Sequence, residues 1–192
     1  MQGREIRKGF FLALMIFTLA IIGGVIFAEE VGPYLQPSVE GLKSIVAQSK
    51  ELAPEAQNVA LAVTIFLKNT SVALILIAGG HLLLGIPVFF ILLSNGLLIG
   101  FFATVLNAKG VSPLAFATGL LPHGIFELPA LLLAAGYALA VVLRRFRRRQ
   151  GPPFGAKMRY LAGVIIPLLA VAAVIEVYVS PRVMGLFLTP SP

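Results

Sequence analysis

The sequence predicts an all-α fold, a polytopic membrane helix bundle of about five spans, and two observations carry that prediction. The first is composition: of 192 residues, 58% are hydrophobic and only 12% are charged. A soluble domain is typically 45–50% apolar and about 25% charged, and half the usual charge cannot coat a folded surface in water. The mean hydropathy of +0.96 agrees. The second is the recurrence of apolar runs close to the ~20 residues needed to cross a hydrocarbon core. The chain has no Cys, Asp or Trp. Disulfides, thiolate metal sites, cysteine nucleophiles, Ser-His-Asp triads and paired catalytic aspartates are therefore excluded.

Residues 1–9 are basic, with Arg4, Arg7 and Lys8, and read as a cytoplasmic N-terminus. Phe10–Ala28 follows as 19 non-ionisable positions and forms the first span. A cleaved signal peptide fits less well, because the apolar core is long and Glu29-Glu30 replaces an A-x-A-like site. Residues 29–68 form an extracytoplasmic amphipathic segment punctuated by Pro33, Pro37 and Pro54. Between the last two prolines, Val39, Leu42, Ile45, Val46, Leu52 and Ala53 recur at helical spacing, with Glu40, Lys43, Lys50 and Glu51 opposite. That pattern fits a helix on the membrane surface, or equally a solvated helix packed on the bundle.

Lys68 interrupts an apolar stretch and is expected at the interface, its stem snorkelling, so the second span begins near Asn69 and ends at Pro87. Val88–Leu106 is the third span and carries Asn95, Gly96 and Gly100. The stretch Val111–Leu143 then runs for 33 residues, too long for one straight crossing of ~20. With Pro122, Gly124 and Pro129 inside it, a short re-entrant half-helix ending near Leu121 is expected before a full fourth span. Residues 144–159 form a basic loop containing Arg144, Arg145, Arg147, Arg148 and Arg149, and residues 160–192 hold the fifth span and an extracytoplasmic C-terminus.

Segments 1–9 and 144–159 together carry ten of the 15 Lys and Arg. The positive-inside rule then places the chain in the cell membrane as a multi-pass protein with its N-terminus inside. The Arg144–Arg149 run is expected to meet anionic lipid rather than nucleic acid.

Three ionisable groups stand inside apolar runs: His81, His123 and Glu127. Such groups are costly in lipid and are functional suspects by default. His123 and Glu127 are four apart, on one helical face, which suits a shared proton, a hydrogen bond or two metal ligands. His81, beside Gly79 and Gly80, is the third candidate ligand, and two His with one Glu is a known zinc set. The structural alternative is that His123 and Glu127 fix a broken backbone after Pro122. Asn69 and Asn95 read as interhelical hydrogen-bond donors, and Gly96-x-x-x-Gly100 as a close-packing signal with a weak pull towards a dimer. Glu176, near the end of the fifth span, reads as interfacial.

The run Leu121-Pro122-His123-Gly124-Ile125-Phe126-Glu127-Leu128-Pro129-Ala130, with Gly110-Val111-Ser112-Pro113-Leu114 and Ser94-Asn95-Gly96-Leu97-Leu98-Ile99-Gly100 before it, resembles the stage II sporulation protein M family. The resemblance covers a core of residues 69–143. It implies an inner-membrane protein that serves as a non-enzymatic scaffold for membrane or cell-envelope partners; His81 is not part of the shared pattern. Three functional readings follow: a scaffold, as a homo-oligomer with a dimer favoured; a metal-binding protein, zinc being the candidate cofactor, using His81, His123 and Glu127; and a transporter of a small solute or ion through the broken-helix site.

Overall fold

The computed structural model describes residues 3–79, 83–148 and 150–188. Five helices are long and apolar enough to cross a membrane: Arg4–Ile26, Pro54–Ala78, Ile86–Ala108, Pro113–Phe146 and Phe154–Tyr178. In chain order the elements are α1 (Gly3–Ile26), α2 (Ala28–Lys50), α3 (Pro54–Leu74), α4 (Ile86–Ala108), α5 (Pro113–Phe146), α6 (Phe154–Tyr160), α7 (Ile166–Tyr178) and α8 (Ser180–Gly185). Short π-helical stretches extend α3 through Ile75–Gly79 and join α6 to α7 through Leu161–Ile165. No strand occurs among the described residues. The fold is the predicted all-α bundle.

Helix α5 is its axis, packing on α1, α7 and α8, while α1 also lies along α4 and α3 along α7. The core is made of small residues as much as large ones: Ala130, Ala134 and Ala135 of α5 are fully buried, alongside Leu76, Ile77, Val88, Leu92 and Ile165. Large apolar side chains such as Phe11, Leu19, Ile26, Phe90 and Val174 point outward instead. An apolar exterior over a small-residue interior is the arrangement of helices that pack in lipid, where backbone proximity rather than hydrophobic burial drives association.

Gly96 and Gly100 show why small residues are needed. A Cβ at Gly96 would stand 2.6 Å from the Ala20 Cβ and 2.8 Å from the Phe17 carbonyl. At Gly100 it would meet the Ile21 carbonyl and lie 2.7 Å from the Val25 nitrogen. The pair therefore seats α4 on α1 inside one protomer, and the pull towards a dimer read from these glycines is spent within the chain. Gly9 and Gly136 make a second backbone-to-backbone approach, between α1 and α5. At that end Arg144 and Glu5 form an ion pair of 2.5 Å.

The largest departure from expectation is in α5. It is one continuous helix of 34 residues with Pro122 and Pro129 inside, about 51 Å long at ~1.5 Å per residue. No re-entrant turn occurs at Pro122. Ser112 starts the helix in a favourable way, its Oγ accepting from the Ala115 N–H at 3.1 Å, with Pro113 in the first turn. An internal proline removes one hydrogen bond and costs ~3 kcal/mol. A full break in apolar surroundings would strand several backbone groups, and the neighbours on α5 hold it helical. Chain parity is unaffected, since one long helix crosses once.

Two further boundaries move. The helix containing the second span begins at Pro54 rather than near Asn69, so Lys68 lies about 21 Å along it at ~1.5 Å per residue. The amphipathic segment begins at Ala28 and takes in both Pro33 and Pro37. Both prolines are exposed and one turn apart, so the carbonyls they release share an outer face where the helix can bend. Only Phe27 separates α1 from α2, and hydrogen bonds from Phe27 to Gly23 and from Val31 to Phe27, each 2.9 Å, carry the ladder through the bend. Helix α2 then lies across the outside of α3 and α4, mostly exposed but with Leu35 and Ser49 buried.

Candidate polar site under helix α2

Between α2 and the bundle runs a groove of two lobes, of about 390 and 450 Å³. Both are lined by Leu42, Ile45, Lys68, Asn69 and Glu127. The first lobe continues over Val72, Leu98, Leu131 and Leu169, and the second reaches Asn58, Leu61, Glu176 and Pro181. Its walls are largely apolar, and Lys68, Glu127 and Glu176 are the ionisable side chains that line it.

A polar cluster at the floor of this groove is assembled from three helices. His123 and Glu127 project from adjacent turns of α5, and Glu176 comes from the last turn of α7. One donor atom from each of these three lies within 4.8 Å of the others. All three are partly buried. Asn69 of α3 donates a hydrogen bond to the Glu127 carboxylate, and Lys68 stands within electrostatic reach of both carboxylates. The His123 Nδ1 is 2.8 Å from the Ser180 Oγ. With Nδ1–H donating to that hydroxyl, Nε2 carries the lone pair, and the ring is held in one orientation.

His123 and Glu127 are thus brought together, but each has its own hydrogen-bond partner on another helix. His81 lies outside the described residues, as does Arg149. Pro122, Gly124 and Pro129 continue the helix that carries the pair. Asn69 makes the interhelical bond expected of it; Asn95 does not, because its Nδ2 donates to the Ile91 carbonyl of its own helix at 2.8 Å. Asn95 lines the first lobe beside Ser94. Three participants escaped the sequence reading. Glu176 and Lys68 were expected at the interface, and Ser180 lies beyond the span, 57 positions from its partner. The signal that could have found Glu176 was available: it is the one carboxylate of α7.

Ser180, His123 and a glutamate are also the residue types of a hydrolytic triad. Two observations speak against that chemistry. Ser180 is only 4% exposed, and it bonds Nδ1, the nitrogen that in a serine triad faces the acid rather than the nucleophile. Here the serine orients the ring.

The arrangement suits a divalent cation. One imidazole nitrogen and two carboxylate oxygens would form a ligand set that zinc accepts, and a set of three leaves a fourth position for another ligand. Hard cations also bind carboxylates, but an imidazole favours a transition metal.

Comparisons with known proteins place the chain. The family described as stage II sporulation protein M matches residues 13–181, which spans every element from α1 to the start of α8. An uncharacterized protein of Methanocaldococcus jannaschii is 29% identical over 186 residues, covering 93% of this chain and 97% of that protein. No solved structure matches. The five apolar helices and the match along nearly the whole chain identify a multi-pass membrane protein that belongs to the stage II sporulation protein M family.

Proposed function

We propose that this protein is a non-enzymatic membrane scaffold whose bundle is tied together on the α2 side by a bound divalent cation, zinc first, held by His123, Glu127 and Glu176. The observation that carries this reading is the convergence of three donor atoms within 4.8 Å from α5 and α7. Two carboxylates this close repel each other, and in apolar surroundings that repulsion is expensive unless a cation offsets it. A divalent ion offsets both carboxylates while cross-linking the helices. Glu176 is the third member of this set, while His81 lies outside the described residues.

The scaffold part rests on family membership and the cation part on geometry. The protein sits in the cell membrane with its N-terminus inside, as the concentration of Lys and Arg in residues 1–9 and 144–159 supports. The groove then belongs to the extracytoplasmic half, and the Arg144–Arg149 end meets anionic lipid of the inner leaflet. Assembly into a homo-oligomer, or with cell-envelope partners, uses faces other than the Gly96–Gly100 seam, which α1 fills.

Elemental analysis of protein purified without added metal tests the reading. One equivalent of zinc is expected, lost in both His123→Ala and Glu176→Gln. Protein free of metal, with a melting temperature indifferent to chelator and to added zinc, would overturn it.

A further inference from the structure

We propose that the groove beneath α2 binds one mono-anionic lipid, its oxyanion set between the bound cation and the Lys68 ammonium and its chain laid along the first lobe. The inference rests on the cation reading and extends it to a ligand class.

Charge bookkeeping leads there. With a divalent ion in place, Glu127 and Glu176 are neutralised, His123 is neutral as a ligand, and Lys68 leaves the site with a net charge of plus one. Lys68 lies well inside a membrane-length helix, is exposed towards the groove, and lines both lobes. Once the ion engages both neighbouring carboxylates, an ammonium at that depth takes a further counter-ion. One singly charged oxyanion balances the site, bridging the open coordination position and the ammonium. Without the metal nothing offsets the two carboxyl groups beside Lys68, so binding is metal-dependent.

The shape selects an anion that carries an apolar chain. From the polar floor the first lobe runs over Val72, Leu98, Leu131 and Leu169, contributed by four different helices. Its volume, about 390 Å³, falls within the range of small-molecule sites. Gly41 of α2 lines it, and a Cβ there would meet nothing within 4 Å, so α2 roofs the lobe without filling it. A small hydrated anion gains nothing from such walls.

Native mass spectrometry of the whole protein in non-ionic detergent, offered phosphatidylglycerol and phosphatidylcholine, tests this. The basic Arg144 end also retains anionic lipid, so the readout is the zinc-dependent equivalent, taken as the difference with and without chelator. Zinc-loaded wild type is expected to retain phosphatidylglycerol about tenfold over phosphatidylcholine, the weight of one charge-assisted contact. Lys68→Gln should keep its zinc and lose that preference, and Gly41→Leu should keep its zinc and lose the lipid by filling the lobe. Stoichiometric zinc with no zinc-dependent lipid, or a preference unchanged in Lys68→Gln, overturns the lipid proposal and leaves the cation reading standing. Equal uptake of glycerophosphoglycerol, which has the same singly charged phosphodiester and no chain, overturns the lipid in favour of a free phosphate ester. Absence of zinc from the wild type overturns both.

Discussion

The seam where α1 meets α4 and α5 and the groove where α2 crosses α3 and α4 both depend on glycine, for opposite reasons. At Gly136 an added Cβ would lie 2.6 Å from the Phe10 nitrogen and 2.7 Å from its Cα. At Gly41 it would meet open space. The seam uses the missing side chain to bring two backbones together, and the groove uses it to keep a space empty. Helix α5 serves both regions along its length. Its last turns, Ala134 to Val142, are almost continuously buried, whereas Glu127 in its first half lines the groove with His123 beside it. Close packing and the polar cluster are thus divided between the two halves of one helix.

Breaking the seam should have the largest effect. Gly136→Leu and Gly100→Leu each force a branched side chain against backbone that cannot move aside. Overpacking of a close interface costs typically ~1–3 kcal/mol and sometimes more, and these are backbone contacts, so the upper end is expected. A large fall in melting temperature, or aggregation on detergent extraction, is the predicted outcome. Wild-type melting in either variant would place the glycine against lipid and remove the seam from the comparison.

Changing the groove at Glu127 comes next. If Glu127 is a metal ligand, Glu127→Gln and Glu127→Ala both lose the ion and fall together in stability, because an amide is a poor ligand. If its role is only to accept from Asn69, Glu127→Gln keeps an acceptor of similar volume and melts near wild type. Glu127→Ala in that case leaves the Asn69 donor unpaired at about 1–3 kcal/mol. Thermal melts of both variants with and without chelator separate the two.

A smaller effect is expected at Ser180. Removing a hydrogen-bond partner of a ligating histidine typically weakens metal binding by about 10–100-fold, while the loss of one hydroxyl costs only about 1 kcal/mol of stability. Ser180→Ala should therefore raise the zinc dissociation constant with a modest change in melting. An unchanged zinc affinity, measured by chelator competition, would show that Ser180 packs against His123 without positioning it.

The bundle and its five crossings were legible because composition and run length are averages over many residues, and no single contact decides them. The α5 break was misread for a local reason. Pro122 and Pro129 signal a helix end by their own chemistry, and nothing in the sequence displays the neighbours on α1, α7 and α8 that keep the helix whole. The site was half legible. His123 and Glu127 share a helical face, so their spacing alone pairs them. Lys68, Glu176 and Ser180 join them through tertiary packing, and each sits where an interfacial reading costs nothing. Asn95 failed in the other direction: its amide found a carbonyl four residues back in its own helix, which is as good a partner as one across an interface.

The mildest perturbation of seam and groove is one added methyl group in each. In α2, Gly41 is helical and its missing Cβ has free space. Gly41→Ala should therefore stabilise by about 0.5–1 kcal/mol, because alanine loses less backbone entropy on entering a helix. Gly136 is also inside a helix, so the same propensity gain applies to Gly136→Ala. There the new Cβ strikes the backbone of Phe10, and the clash outweighs it. The two variants should move the melting temperature in opposite directions, Gly41→Ala slightly up and Gly136→Ala clearly down, with zinc content unchanged in Gly41→Ala. A fall in Gly41→Ala would mean that the roof of the groove closes onto its floor, and the open lobe, along with the ligand it is built to take, would go with it.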